Sequence, residues 1–139
     1  MVLDFLHYFA PVLQSAHKKW EDNNNLKREN LMEHINRIEL QGHVGTVRTN
    51  VFEGRSVANF SLATEYFYKN KDGSGVSETT WHNVVAWSGK DIADLNTIVK
   101  GTPVYVCGRL RLNKYTNPEG VEKQVFEIIA SKVRILNEV

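Results

Sequence analysis

Apolar and polar residues alternate along the run TPVYVCGRLRL, residues 102–112. One parity holds Val104, Val106, Gly108, Leu110 and Leu112, and the other holds Tyr105, Cys107, Arg109 and Arg111. Successive side chains of a β-strand point to opposite faces, so this pattern predicts a strand with one face on a core. Such a strand has to pack its apolar face against a second layer of structure.

Four further runs between turn signals also predict strands, at residues 35–49, 55–68, 79–89 and 123–136. In the first of these runs, Gly42 and Gly45 predict a bend, because glycine permits a bulge or a kink. In the second, Ala58, Phe60 and Leu62 share one parity and predict a buried face.

The stretch KDIADLNTIVKG, residues 90–101, predicts a short helix before the strand at 102–112. Ile92, Leu95 and Val99 recur at three- and four-residue spacing, and Gly101 can end the helix. The order of three strands, one helix and two strands predicts an all-β fold. We expect a five-stranded OB-fold barrel with one short helix between strands 3 and 4.

The first 31 residues differ from the rest of the chain. They begin with an apolar, partly helical stretch and continue into the polar run EDNNNLKREN. We therefore expect an N-terminal extension over 1–31, partly helical or disordered, and an OB-fold domain over 32–139. Three alternatives stay open for 1–31: sequence upstream of a natural start at Met32, a helix that packs on the domain or on another copy, or a helix at a membrane surface. The last is the weakest, because the basic residues of this stretch come only at its end.

The sequence favours a reducing, cytoplasmic location. Cys107 is the single cysteine, so the chain cannot form an internal disulfide. The first residues include Asp4 and lack the basic start of a secretory signal. No apolar run is long enough to span a bilayer.

Catalytic chemistry and bound cofactors are not expected. The five histidines have no metal-ligand spacing, and no Gly-rich phosphate loop is present. Cys107 lies in the middle of a predicted strand without an obvious base, as is common for a structural thiol. We expect a chain that is not an enzyme and holds neither a cofactor nor a metal.

Two tryptophans in TTWHNVVAWSG, residues 79–89, raise a different possibility. Trp81 and Trp87 are six residues apart, so a strand places both on one face, about 20 Å from each other. The outer face of strands 2 and 3 is the usual oligonucleotide platform of an OB-fold, and each base stacked on an aromatic ring contributes about 1–3 kcal/mol. The alternative for each tryptophan is a core or subunit-contact residue.

Basic and aromatic residues accompany these tryptophans, although the formal net charge of the chain is only +1. Arg109, Arg111 and Tyr115 share the polar parity of their strand, and Tyr68 ends the second strand beside Lys69. Charge for phosphates and flat rings for bases suit a single-stranded nucleic acid. A solvated barrel wall is the alternative. We expect phosphate contacts from Arg48, Lys69, Arg109, Arg111 and Lys114.

From INRIELQGHVG to KVRIL, roughly residues 35–136, the chain resembles the bacterial single-stranded DNA-binding protein family. The segments that carry the resemblance are VANFSLAT, TTWHNVVAWSG, KGTPVYVCGRLRLNKY and VFEIIASKVRIL. The resemblance implies sequence-tolerant binding of single-stranded DNA in replication, recombination and repair. Its stacking aromatics match Tyr68, Trp81, Trp87 and Tyr115, and its basic positions match Arg111 and Lys114.

The resemblance also bears on assembly and partners. It implies a homotetramer joined through first-strand edges and around His82, with a dimer as the runner-up. Family members usually continue into a flexible tail whose acidic tip recruits other proteins, whereas this sequence stops at Val139. We therefore do not expect recruitment by that route. An OB-fold protein-interaction or primosome-type accessory module with weak DNA binding is the alternative function.

Overall fold

The computed structural model describes residues 17–23 and 32–137. The chain divides into two units, Met1–Ile35 and Asn36–Val139. In the first unit, residues 17–23 are helical, and His17 Nδ1 lies 3.5 Å from Glu21 Oε1, one turn along. The remainder of the predicted extension lies outside the described residues. In neither described range is a helix long and apolar enough to cross a membrane.

The second unit is a closed β-barrel with the strand order β1-β2-β3-β5-β4. Its strands are β1 Ile38–Phe52, β2 Arg55–Lys69, β3 Gly75–Trp87, β4 Pro103–Thr116 and β5 Glu122–Ile135. Neighbouring strands are antiparallel except β3 and β5, which pair in parallel. The predicted five-stranded OB-fold barrel is confirmed.

Alternate residues of each strand point into the barrel. Ala58, Phe60 and Leu62 of β2 are buried, and so are Val104 and Val106 of β4. These are the parities that the alternation of the sequence predicts for the core. The residues between them point outward, and we call this outward surface of the sheet the outer face.

The apolar row of β4 is not buried along its whole length. Leu110 and Leu112 are 42% and 40% exposed. Pairing between β4 and β1 stops at Gly108, which lies opposite Ile38, whereas β4 and β5 remain paired to Thr116. The end of the β4–β5 hairpin therefore extends past the barrel, where its inward-pointing side chains lack a facing layer.

The helix between β3 and β4 is a 3₁₀ turn over Leu95–Thr97, much shorter than the predicted stretch 90–101. The Asp94 side chain accepts a hydrogen bond from the Asn96 N–H, and Asp94 itself has a non-helical backbone. Leu95 and Ile98 are buried, whereas Val99, expected on the apolar face, is 56% exposed. Because only a small part of the Gly89–Ile98 segment is helical, its apolar residues do not follow the three- and four-residue spacing of a helix.

Close packing requires glycine at both positions 42 and 45 of β1, and Gly45 also lies at an irregularity. A Cβ on Gly42 would lie 2.0 Å from the Ala63 carbonyl oxygen, so only glycine fits this approach of β1 to β2. The register of β1 against β2 shifts between Val44 and Val47, which places a bulge around Gly45. The predicted bend in the first strand is confirmed.

Candidate nucleic-acid interface

Trp81 and Trp87 both lie on the outer face. Trp81 is opposite Ala63 and Trp87 opposite Val57, while the intervening pair Ala58 and Ala86 belongs to the core. Trp81 is 61% exposed and Trp87 is half-buried. The predicted placement of the two indoles on one outward surface is confirmed, and their stacking role stays a prediction.

The indole of Trp81 lies against the bulge of β1. A Cβ built on Gly45 would be 2.6 Å from Trp81 Cζ3 and 2.5 Å from Ser61 Oγ, so the ring packs where any other residue would place a side chain. Ser61 Oγ accepts a 2.8 Å hydrogen bond from the Thr46 N–H and thereby satisfies a donor of the bulge. The bulge thus provides a flat seat for one side of the indole and leaves much of it accessible.

Trp87 has aromatic and cationic neighbours that the sequence pattern does not reveal. Phe52 contacts it edge to face, with ring centroids 6.3 Å apart. The Arg55 guanidinium carbon lies 5.4 Å from the indole centroid, and Arg55 also donates a 3.1 Å hydrogen bond to the Ser88 carbonyl. These contacts hold the ring on the outer face and place a positive charge beside it.

A cleft of about 550 Å³ with both polar and apolar lining residues crosses the outer face between the two indoles. Four strands contribute to it: Thr46, Val47 and Arg48 of β1, Asn59, Phe60 and Ser61 of β2, Asn83, Val84 and Val85 of β3, and Val125 and Glu127 of β5. Asn83 and Val85 occupy the two outward positions between Trp81 and Trp87 on β3. What separates the flat rings is therefore a groove with hydrogen-bonding groups and a partly apolar floor.

Four of the five predicted phosphate contacts share the outer face with the tryptophans. Arg48 is opposite Asn59, an outward residue of β2. Lys69 of β2 and Arg109 and Arg111 of β4 also occupy outward positions of their strands. All four side chains are exposed. Arg48 lines the cleft, and the outer face therefore carries exposed cations although the net charge of the chain is only +1.

Arg111 has an intramolecular partner that the sequence did not predict. Its Nε donates a 3.1 Å hydrogen bond to Glu127 Oε1, and its Nη2 donates to the same oxygen. Glu127 is buried and lines the cleft, whereas the Arg111 side chain is 46% exposed. The carboxylate fixes the guanidinium in place and offsets part of its charge.

The remaining predicted contacts divide between the two sides of the hairpins. Tyr115 is opposite Lys123 and shares the outward parity of Arg111. Lys114 has the opposite, inward parity. Tyr68 also has the inward parity; it lies opposite Val76, and its ring centroid is 6.1 Å from that of Tyr66. The structure therefore brings Tyr115 to the face of the tryptophans but places Tyr68 and Lys114 on the reverse side of their hairpins.

His82 points to the barrel side of β3, between the two tryptophan-bearing positions. Its Nε2 lies 2.8 Å from Thr64 Oγ1, and burial lowers the pKa of His82. The neutral ring is therefore favoured at neutral pH. Over residues 17–23 and 32–137, no three His, Cys, Asp or Glu side chains are grouped so that they could hold a metal ion.

Comparison with known proteins identifies the family of the chain. Residues 35–136 match the single-strand binding protein family. The chain belongs to that family. The family region takes in all five strands of the barrel and every residue predicted for the site.

Two curated relatives each match 73% of the chain. A single-stranded DNA-binding protein of Xanthomonas axonopodis pv. citri is 35% identical over 104 residues, covering 73% of this chain and 58% of the relative. The single-stranded DNA-binding protein 1 of Chlorobaculum tepidum is 36% identical over 107 residues, covering 73% and 65%. The chain thus spans less than two thirds of either relative.

Two solved structures share the barrel. The Plasmodium falciparum SSB in complex with ssDNA has a TM-score of 0.62 and 30% identity, and the match covers 77% of this chain and 99% of that one. A deletion mutant of the Thermus aquaticus single-stranded DNA binding protein has a TM-score of 0.59 and 18% identity, covering 74% and 51%. The second likeness concerns the fold alone.

Proposed function

We propose that this protein binds single-stranded DNA across the outer face of its barrel, with bases stacked on Trp81 and Trp87. The observation that carries the proposal is the pair of outward indoles on either side of a cleft that has both polar and apolar lining residues. The names of its curated relatives and the single-stranded DNA in the Plasmodium falciparum complex support the same ligand.

Base stacking and electrostatic attraction both contribute to binding. Each stacked base contributes about 1–3 kcal/mol without requiring a particular base, since every base has a π-face. Arg48, Lys69, Arg109 and Arg111 share the outer face with the indoles and meet the phosphates, which makes the affinity salt-dependent. Tyr115 extends the stacking surface along β4. Tyr68 and Lys114 contact DNA where the strand passes around the hairpin ends.

This arrangement favours a single strand over a duplex. Stacking on an indole requires an unpaired base whose face is free, and a duplex keeps its bases inside the stack. Reading a duplex by its major groove usually requires a helix or a two-stranded ribbon inserted into it. The outer face offers flat rings and a shallow cleft, so we expect little affinity for duplex DNA.

A fluorescence titration with oligo(dT) tests the proposal, with the tryptophans as the reporters. We expect tight binding, weak preference among sequences and an affinity that falls with salt by about 0.7 per phosphate contact on a log–log plot. Equal affinity for duplex and single strand in competition would contradict the proposal. Weak binding at low salt would favour the protein-interaction module.

The cellular role that we propose is sequence-tolerant protection of single strands in replication, recombination and repair, in the cytoplasm and without catalysis. Non-catalytic binding agrees with the chemistry of the cleft, where Glu127 is paired with Arg111 and Ser61 with Thr46.

For assembly we propose a homotetramer, with a dimer as the runner-up. Residues 38–42 of β1 pair with β4, and pairing with β2 begins only at His43, so the other edge of this segment has main-chain groups available for a second copy. His82 is proposed to lie near a subunit contact. Light scattering at micromolar concentration tests the assembly, and a monomer would contradict it.

A further inference from the structure

Two carboxamides in the cleft have no function in the stacking scheme. Asn83 follows Trp81 by two residues on β3, and Asn59 lies diagonally across from it on β2, opposite Val85. Both residues are exposed, and neither side chain is hydrogen-bonded to another described residue. They differ in this from their polar neighbours, since Ser61 is bonded to Thr46 and Glu127 to Arg111.

We propose that Asn59 and Asn83 form a subsite for the Watson–Crick edge of an unpaired base held between the two indoles. The inference rests on the proposed function and adds to it a second way of holding a base. A carboxamide presents one acceptor and one donor side by side. The Watson–Crick edge of each base also presents a donor next to an acceptor, so the two can form paired hydrogen bonds.

The geometry of the cleft suits a base in this position. Trp81 and Trp87 are about 20 Å apart along β3, so a nucleotide fits between the two that stack on them. The cleft of about 550 Å³ is within the range of roughly 300–1,000 Å³ that is usual for small-ligand sites. Val85 and Val125 supply apolar contact, and Arg48 at the β1 side can meet the phosphate.

A carboxamide subsite adds affinity without sequence specificity. The amide can rotate by half a turn and exchange its donor and acceptor, so the same asparagine complements the donor–acceptor order of any of the four bases. An arginine in this position would offer donors alone and an aspartate acceptors alone, and each would favour particular bases. The two asparagines therefore suit a protein that has to accept every sequence.

The test compares oligo(dT) with the same oligonucleotide in which every thymine is methylated at N3. The methyl group removes the N–H donor and blocks the Watson–Crick edge, while the ring face stays available for stacking. We expect the parent protein to bind the methylated strand about two- to twelve-fold more weakly, the range expected for one net hydrogen bond. The Asn59→Ala/Asn83→Ala variant should bind both strands equally well.

Thr79→Ala is the matched control, because Thr79 has the same outward parity on β3 but lies on the other side of Trp81 from the cleft. It should keep the discrimination of the parent. Thermal melting of each variant verifies that the barrel is folded. Should the double variant fail to fold, Asn83→Asp replaces it. An acceptor-only side chain should raise the ratio of oligo(dC) to oligo(dT) affinity, because thymine N3–H lies between two carbonyl oxygens that repel a carboxylate, whereas cytosine N4 has an N–H donor with only one acceptor beside it.

The outcomes separate the two proposals. If the parent binds oligo(dT) and methylated oligo(dT) equally, the edge subsite is wrong and stacking alone explains binding. If the folded double variant still discriminates between the strands, the assignment to Asn59 and Asn83 is wrong. An unchanged base ratio in Asn83→Asp would overturn the role of Asn83. A parent that binds neither strand would instead overturn the proposed function.

Discussion

Replacing Gly45 by alanine should weaken DNA binding through Trp81, although Gly45 itself has no group that DNA could recognise. The added Cβ would lie 2.6 Å from Trp81 Cζ3 and 3.1 Å from Cη2. The indole would have to retreat by about 0.8 Å to restore an ordinary 3.4 Å contact. The same Cβ would lie 2.5 Å from Ser61 Oγ, so the hydrogen bond from Thr46 to that oxygen would also be disturbed.

The expected loss of binding free energy is about 1 kcal/mol, at the lower end of the range for one stacked base. The ring stays attached and can still meet a base, but it loses the seat that fixes its plane. That loss corresponds to an affinity about five-fold lower. Because Trp81 is 61% exposed, the ring can move toward solvent, and we expect a smaller stability cost than the about 1–3 kcal/mol of an overpacked core.

A double-mutant cycle measures the effect. Oligo(dT) affinity is determined at one fixed salt concentration for the parent, Gly45→Ala, Trp81→Ala and the double variant. If Gly45 acts through the indole, Gly45→Ala should cost little once Trp81 is removed. An equal cost in both backgrounds would refute the reasoning, because the glycine would then affect binding independently of the ring.

Trp81→Ala and Trp87→Ala should each weaken binding by about 1–3 kcal/mol with little change in thermal midpoint; low midpoints with normal binding by the folded fraction would instead assign the rings to the core. Arg111→Ala should lower the log–log salt slope by about 0.7, whereas Glu127→Gln should steepen it by freeing the guanidinium, and unchanged slopes would contradict both. Burial lowers the pKa of His82 below 6.5, so the unfolded chain binds more protons and stability should fall as the pH drops below 6.5. Denaturant melts of His82→Gln should show a smaller fall than the parent, and an identical pH dependence would contradict this.

The alternation of the sequence predicts most of the barrel, because side-chain period determines which residues can be buried. Phe60 and Leu62 are in the core, as the alternation of β2 predicts, and Trp81 is outside it. Parity does not show where a strand loses its neighbour, so parity alone places Leu110 and Leu112 in the core. In the structure the pairing of β4 with β1 ends at Gly108. The helix over 90–101 was too long for a related reason, since spacing alone does not show whether the backbone completes a turn.

The details of the candidate site depend on contacts between distant parts of the chain. Arg55 reaches Trp87 only because β2 and β3 are in their particular register, and the seat of Trp81 exists because the bulge of β1 lies across β2. Two outward asparagines carry no pattern that separates them from ordinary surface residues. The position of Tyr68 in the chain predicts that it accompanies the tryptophans, whereas the pairing of β2 with β3 places it on the reverse side of the hairpin.

The parallel seam between β3 and β5 has a kinetic consequence. It consists of two residue pairs, Val84 with Ile128 and Val85 with Ile129, whereas β2 and β3 are paired from Val57 to Lys69. The two strands of the seam are farther apart in sequence than those of any hairpin, so the seam costs more loop entropy and gains only two pairs. The β1–β4 pairing closes a longer loop but joins six residue pairs. We expect the seam to open first under native conditions, so that its amides exchange with solvent sooner than those of the β2–β3 ladder. Each opening exposes two unpaired strand edges. The rate of aggregation should therefore rise with the rate at which these four residues open.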